Sequence, residues 1–359
     1  MFIGTPRRAT AEPAQSLGAR MTRVDQTDAH QGLISDDQIG VSLPAIRSPI
    51  EQVARLTERF QTRQPFTRII RCLPSAPGDG RIRCLCREIV MRNRNIDTIL
   101  FDMDGVLYRG RQVVPGAPEV LAQLRSRGYR IGFCSNNSSK SRQDYVRKLA
   151  EMGISAEERE IVNSAFATVT YLQEQGRLPC RVYVIGGEGL SAELAAAGAE
   201  VVDRGGPEVD FVIVGFDRNF NYDKLCEGFR ALQQGAEFIA TNRDATLPLE
   251  DGLYPGGGTM VAALETAIGR SPFVIGKPEP YSLLKLVAQL KSDPARTMMV
   301  GDRLETDILA GNRAGMTTTL VLTGVSTREM AENAPPEMRP DNIIESVASL
   351  PELFATGVG

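Results

Sequence analysis

From residue 96 to the C-terminal end, short apolar runs alternate with stretches whose apolar positions recur every three or four residues. Residues 96–101, IDTILF, predict a buried strand. Residues 117–128 predict an amphipathic helix closed by Gly128. A strand at 129–135 and a helix at 141–153 come next, then a short strand at 161–163 and a helix at 164–176. Three apolar runs at 181–186, 199–203 and 210–215 enclose a helix at 189–197. Beyond them the pattern predicts helices at 221–235, 259–269, 280–290 and 305–315, with strands at 236–242, 273–276, 297–302 and 317–324. Regular alternation of this kind predicts an α/β protein built on parallel sheet. Ligands of such sheets bind beyond the carboxyl ends of the strands.

Residues 1–90 break the pattern. They hold thirteen Arg, no Lys and nine acidic residues, with helical periodicity only near 50–60. Such a composition is expected of a disordered extension, and the acidic residues speak against a transit peptide. Met91, directly before the alternating region, is an alternative natural start, and deletion of residues 1–90 is expected to leave activity intact.

The bulk properties narrow the chemistry. Hydrophobic content of 42% and charged content of 24% are ordinary for a globular protein. A net charge of −3 gives no overall pull toward nucleic acid or an anionic membrane. No apolar run has the length to cross a bilayer, and the first residues lack the apolar core of a secretory signal. Six scattered cysteines fit a reducing compartment, and a cytoplasmic location is expected. The single histidine, His30, excludes Ser–His–Asp hydrolases, histidine phosphatases and His-rich zinc sites. Chemistry must rest on carboxylates, lysine, hydroxyls, amides and a hard metal.

Four polar elements fall at four predicted strand ends. Asp102 and Asp104, in the run Phe101-Asp102-Met103-Asp104-Gly105, supply two acids with separable jobs. One can attack phosphorus and hold a metal; the other can pass a proton to the leaving oxygen and take one from water. Gly105 permits a tight turn that folds Asp104 back over the site. Ser135, Asn136 and Asn137 offer a hydroxyl, amides and free N–H groups for phosphate oxygens. Lys277, in Gly276-Lys277-Pro278, can neutralise phosphoryl charge. Asp302 and Asp307 provide the hard oxygens that suit Mg²⁺. Each element alone is as ordinary as a capped helix or a surface turn.

Together, FDMDGVLYRG, CSNNSS, GKP and GDRLETDI resemble the four motifs of the haloacid-dehalogenase (HAD) superfamily, and DMDGVLY with the NN-S-S element resembles its NagD and p-nitrophenylphosphatase branch (class IIA). The resemblance covers about residues 96–350. It implies a Rossmann-like parallel-sheet core, residues 91–180 and 269–359, with an inserted α/β cap at 181–268. It implies that Asp102 forms an aspartyl-phosphate and that Asp104 is the general acid–base. Ser135 and Asn136, with Asn137, would bind the phosphoryl group, and Lys277 would stabilise its charge. Mg²⁺ would be held by Asp102, Asp302 and the Asp104 main-chain carbonyl, with Asp307 supporting the site through water or at one remove. The cap loop of the branch falls at Thr241-Asn242-Arg243-Asp244. Asn242, Arg243 and Asp244 are therefore candidate substrate contacts, and Arg243 in particular for an anionic tail. The resemblance further implies a phosphatase of a small phosphorylated metabolite, with a homodimer as the common assembly among relatives. Phosphoglycolate, glycerol phosphate, nucleotide and sugar phosphates all remain open. Relatives acting on pyridoxal phosphate use a cap histidine, which this cap lacks.

Three other readings compete. Gly187-Glu188-Gly189-Leu190-Ser191-Ala192 comes after a predicted strand and reads G-x-G-x-x-A, with Asp203 beyond, in the manner of a dinucleotide turn. Cys86 and Arg92 have the spacing of cysteine phosphatases, but bulky residues lie between them. A phosphomutase on the same core would need a cap between the first two motifs, where only about thirty residues are available.

Overall fold

The computed structural model describes residues 95–249 and 252–355. The chain divides into two units, and every described residue belongs to the second, Asp79–Gly359. The N-terminal extension, the alternative start at Met91, His30 and the Cys86–Arg92 spacing lie outside the described residues.

Two parallel sheets organise the structure. The larger has six strands: β1 (Thr98–Phe101), β4 (Arg130–Ser135), β5 (Ile161–Asn163), β13 (Thr297–Gly301), β14 (Thr317–Val321) and β15 (Asn342–Ile344). Their spatial order is β15-β14-β13-β1-β4-β5, and every pairing is parallel. β1 is central and wholly buried, as a strand covered on both faces must be. Its side chains alternate between two cores. Ile99 and Phe101 pack with Ile131, Phe133 and Val300 under α1 (Ala117–Ser126) and α2 (Arg142–Glu151). Leu100 packs on the other face with Val162 and Met299, against α3 (Ser164–Glu174) and the later helix α7 (Tyr281–Gln289).

The second sheet has five strands in the order β12-β9-β8-β6-β7. They are β6 (Arg181–Ile185), β7 (Glu200–Val202), β8 (Phe211–Val214), β9 (Glu237–Ala240) and β12 (Phe273–Val274). One face shares the core of the first sheet through Val182, Phe211, Ile213 and Ile239. The other face, with Tyr183, Ile185, Val212 and Val214, is covered by α5 (Tyr222–Gln233) and α6 (Gly257–Ile268). A hairpin, β10 (Thr246–Leu249) with β11 (Gly252–Pro255), joins β9 to α6. β12 lies past residue 268 and still pairs with β9, so the run that leads to Lys277 belongs to this second sheet.

Between Asp102 and β4, the strand that ends at Ser135, stand only a two-strand hairpin, β2 (Tyr108–Arg109) with β3 (Gln112–Val113), and α1. No cap interrupts that stretch. The dinucleotide-like turn has another use. It starts α4 (Glu188–Ala196), and a Cβ on Gly189 would lie 2.8 Å from the main chain of Ser139 and Lys140. The space a pyrophosphate would need is filled by protein backbone. No helix among the described residues is long and apolar enough to cross a membrane.

Candidate active site

The carboxyl ends of β1, β4 and β13 converge on one cavity of about 970 Å³, which the second sheet's loops help to line. Asp102 comes directly after β1 and continues its ladder, donating its N–H to Val300 O at 2.9 Å. The chain then turns sharply. Leu107 N donates to Met103 O at 2.9 Å and Gly105 N to Tyr108 O at 2.7 Å. Gly105 has φ +89°, and a Cβ there would stand 2.6 Å from Asp302 Oδ2, so both conformation and contact demand glycine. This turn brings Asp104 back over the cavity. Asp104 Oδ1 is buried and has no hydrogen-bond partner. Burial pushes its carboxyl up, against the opposing charge of Lys148.

Lys277 is the hub. Its side chain is 2% exposed, and Nζ lies 2.6 Å from both Asp102 Oδ1 and Asp307 Oδ1. Nζ also donates to Cys134 O at 3.3 Å. Burial works against the ammonium, but Asp102 and Asp307 override it and hold its pKa well above the ordinary value. Asn136 fixes the Lys277 main chain. Its Oδ1 accepts from Lys277 N at 2.8 Å, and its Nδ2 donates to Lys277 O at 2.8 Å and to Asp244 Oδ1 at 3.0 Å. The Asn136 amide is therefore fully engaged in holding the lysine, and its side chain is not free for phosphate.

The acids crowd together. Carboxylate oxygens of Asp102, Asp302 and Asp307 lie within 4.8 Å of one another. Burial, the larger influence, and then Asp307 push Asp302 up to about 7. Burial also pushes Asp102 up, with Lys277 opposing and the two neighbouring acids adding to the shift. A cluster of hard oxygen donors whose negative charges raise one another is a place that favours a small divalent cation. Asp307 has the least freedom among them. Its Oδ1 is taken by Lys277, and its Oδ2 accepts from Asp302 N at 3.2 Å and Arg303 N at 3.1 Å.

That last contact shapes the local chain. The expected helix at 305–315 begins as a wide π-type turn, Leu304–Ile308, before α8 (Leu309–Arg313), with Ile308 N donating to Arg303 O. The wider turn lets Asp307 cap the loop that carries Asp302.

The other expected residues divide. Ser135 lines the cavity with its Oγ 3.4 Å from Tyr145 Oη and accepting from Asn137 N at 3.2 Å. Asn137 also lines it, while its Oδ1 accepts from Ser139 N and Oγ. Asp244 reaches the cavity from the second sheet's side. Asn242 does not; it is 3% exposed and donates to Asn136 O at 2.6 Å, tying the two parts of the chain. Arg243 turns away. It pairs with Glu265 at 2.5 Å, is 43% exposed, and is absent from the cavity lining. Tyr145, Lys148 and Arg303 line the cavity without having been singled out in the sequence. Tyr145 and Lys148 are three residues apart on α2, one face of the helix that comes after the serine–asparagine element, and that spacing was the available signal.

Residues 99–200 match the family described as haloacid dehalogenase-like hydrolase, and residues 274–350 match a second HAD hydrolase-like family. A glycerol-3-phosphate phosphatase of Gallus gallus is 42% identical over 284 residues, covering 71% of this chain and 91% of the relative. A glycerol phosphate phosphatase from Mycobacterium tuberculosis, solved with magnesium, superposes with a TM-score of 0.67 at 39% identity, over 71% of this chain and 77% of that one. A 4-nitrophenylphosphatase from Thermotoga maritima gives a TM-score of 0.67 at 34% identity, over 73% and 98%. With two parallel sheets, four motifs at their strand ends and this extent of identity, the chain belongs to the haloacid dehalogenase-like hydrolases, in their NagD and p-nitrophenylphosphatase branch.

Proposed function

We propose that this enzyme is a Mg²⁺-dependent phosphatase that removes the phosphoryl group from a small phosphorylated metabolite through a covalent intermediate on Asp102. The observation that carries the reading is the contact of one buried lysine, Lys277, with both Asp102 and Asp307 at 2.6 Å, beside Asp302. In that setting Asp102 keeps one oxygen on the ammonium and turns the other to the incoming phosphorus. Lys277 and the Ser135 hydroxyl receive phosphoryl oxygens, and the Asn136 amide holds Lys277 in place. Asp104, its pKa raised by burial, is suited to carry the proton for the leaving oxygen. Once that oxygen departs as an alcohol, the Asp104 carboxylate can draw a proton from water, which attacks the aspartyl-phosphate and restores Asp102.

Asp102, Asp302 and the Asp104 main-chain carbonyl would hold Mg²⁺, which when bound neutralises phosphoryl charge. Asp307 acts at one remove, since both its oxygens are already taken by Lys277 and two main-chain N–H groups. The second sheet's loops, through Phe216, Asp244 and Thr246, close the cavity over the leaving group and keep water from the phosphoryl group.

The test is a hydrolysis screen over phosphoglycolate, glycerol phosphate, nucleotide and sugar phosphates and p-nitrophenyl phosphate, with Mg²⁺ and with EDTA. Phosphate release that requires Mg²⁺ supports the reading. No release from any member, with a folded protein, would end it.

A further inference from the structure

Lys277 is held by an amide that has one more hydrogen than the lysine can use. A side-chain amide offers two N–H donors and one carbonyl. Asn136 Oδ1 accepts from Lys277 N at 2.8 Å and Nδ2 donates to Lys277 O at 2.8 Å, so the amide meets both main-chain groups of the lysine. The other N–H goes to Asp244 Oδ1 at 3.0 Å. The chain makes room for this pairing, since a Cβ on Gly276 would lie 2.6 Å from Asn136 Oδ1. Asn136 is 8% exposed, so little water is at hand to take the place of the Asp244 oxygen.

Asp244 is in turn fixed from the second sheet's side, on the loop between β9 and β10. Its N–H donates to Asn242 Oδ1 at 3.3 Å, and its carbonyl accepts from Gly258 N, in the first turn of α6, at 2.9 Å. Cβ atoms on Gly256 and Gly258 would stand 2.3 and 2.9 Å from that carbonyl oxygen, so the helix start is pressed against the loop. Asn242 Nδ2 completes the arrangement by donating to Asn136 O at 2.6 Å. The loop 242–244 therefore grips Asn136 at its carbonyl and at its amide, and Asn136 passes that hold to Lys277. At the far end of the lysine, Nζ must meet Asp102 and Asp307 at 2.6 Å each. A small rotation of the Lys277 main chain is enough to lose one of them.

We propose that Asp244 is a positioning residue: through the Asn136 amide it sets Lys277 against Asp102, and it acts on turnover by way of the lysine rather than the leaving group. This rests on the phosphatase reading above and adds to it the part that places the lysine. The role differs from the one expected of Asp244 in the sequence, a contact with the substrate.

The experiment measures kcat and KM of the full chain with Mg²⁺ on p-nitrophenyl phosphate, glycerol 3-phosphate and phosphoglycolate. Wild type, Asp244→Ala, Asp244→Asn, Asn136→Ala and the double variant Asn136→Ala with Asp244→Ala are compared, each checked for folding by circular dichroism. Asp244→Ala should lower kcat/KM about tenfold or more, as a misplaced catalytic group does. The factor should be the same on every substrate that is hydrolysed, because Lys277 addresses the phosphoryl group they share. Asp244→Asn should recover most of the loss, because the bond from Asn136 needs an acceptor oxygen and the asparagine carbonyl supplies one. The double variant should be no slower than Asn136→Ala alone, within about twofold, because the two residues act as one chain of contacts. Losses that multiply would overturn the proposal, since a merely structural role for Asp244 would add its damage to that of Asn136→Ala. So would a loss that depends on the leaving group, no loss at all, or no recovery in Asp244→Asn. If the wild type hydrolyses none of the three substrates, the phosphatase reading falls first and takes the proposal with it. Should Asp244→Ala not fold, Asp244→Ser, whose hydroxyl is a bond too short to reach Asn136, replaces it in both the single and the double variant and is read by the same cycle.

Discussion

Replacing Lys277 by Met tests the electrostatic balance of the site without altering its acids. The side chain is 2% exposed, and its two partners at 2.6 Å are 13% and 2% exposed, so little solvent is at hand to take over its charge. Methionine fills much of the same volume, and only the ammonium is lost. Removing one member of a buried ion pair costs about 3–5 kcal/mol, because the remaining charge is left uncompensated. At about 2–4 °C per kcal/mol for a domain of this size class, the metal-free variant should melt roughly 6–20 °C below wild type. A divalent cation restores positive charge beside Asp102 and Asp302, so saturating Mg²⁺ should narrow that gap while activity stays low. The chain has no tryptophan, so melting is best monitored by circular dichroism, at about pH 8 in EDTA and again in Mg²⁺. A metal-free variant that melts within about 2 °C of wild type would refute the reasoning, since it would mean that Lys277 compensates no buried charge.

Asp102→Asn should remove turnover by about a thousandfold or more while leaving the fold intact, read as phosphate release beside a circular dichroism spectrum. Asp104→Asn should cut kcat about 10²- to 10⁴-fold for alkyl phosphates, whose leaving oxygen needs a proton. It should do less to p-nitrophenyl phosphate, whose leaving group departs as an anion, and kcat values on the two substrates check this. Burial and Asp307 push Asp302 up to about 7 from an ordinary 3.8, so between these values the folded metal-free protein keeps a proton that the unfolded chain releases. Its contribution therefore weakens stability as pH rises, and the metal-free melting temperature should fall from about pH 5.5 to about pH 8. Mg²⁺ affinity should rise over the same interval, as calorimetric titration at the two pH values would show. Arg243→Ala should change KM for phosphoglycolate by less than about twofold, because an exposed pair with Glu265 contributes little and does not touch the cavity.

The parts of the site that were legible in the sequence are those fixed by strand ends. Runs such as Thr98–Phe101 and Thr297–Gly301 are buried throughout, and a buried parallel strand writes itself as continuous apolar sequence. Asp102, Ser135 and Asp302 are found where such runs stop. The residues that escaped depend on long-range contacts that no local pattern encodes. Arg243 looked free because Glu265, twenty-two positions away, is brought to it only by the packing of α6. Asn136 looked like a phosphate ligand, and its amide instead brackets Lys277 across 141 residues. The run before Lys277 read correctly as a strand, but its sheet was set by pairing with β9. The dinucleotide-like glycines answered a close approach of backbone at Ser139–Lys140, a demand that looks identical in sequence to the approach of a phosphate. Hairpins with strands of two to four residues, β2–β3 and β10–β11, are too short to show a period at all.

The measurement that bears most directly on the site is the identity of the phosphorylated residue during turnover. Asp104→Asn should slow attack by water while p-nitrophenyl phosphate still loads the enzyme, so acid quenching of that variant with Mg²⁺ present should trap the intermediate for peptide mass mapping. A phosphoryl group on the peptide that carries Asp102, absent when Asp102→Asn is added, is the expected result. Phosphate found on another residue, or hydrolysis that continues undiminished in the Asp102→Asn protein, would contradict it.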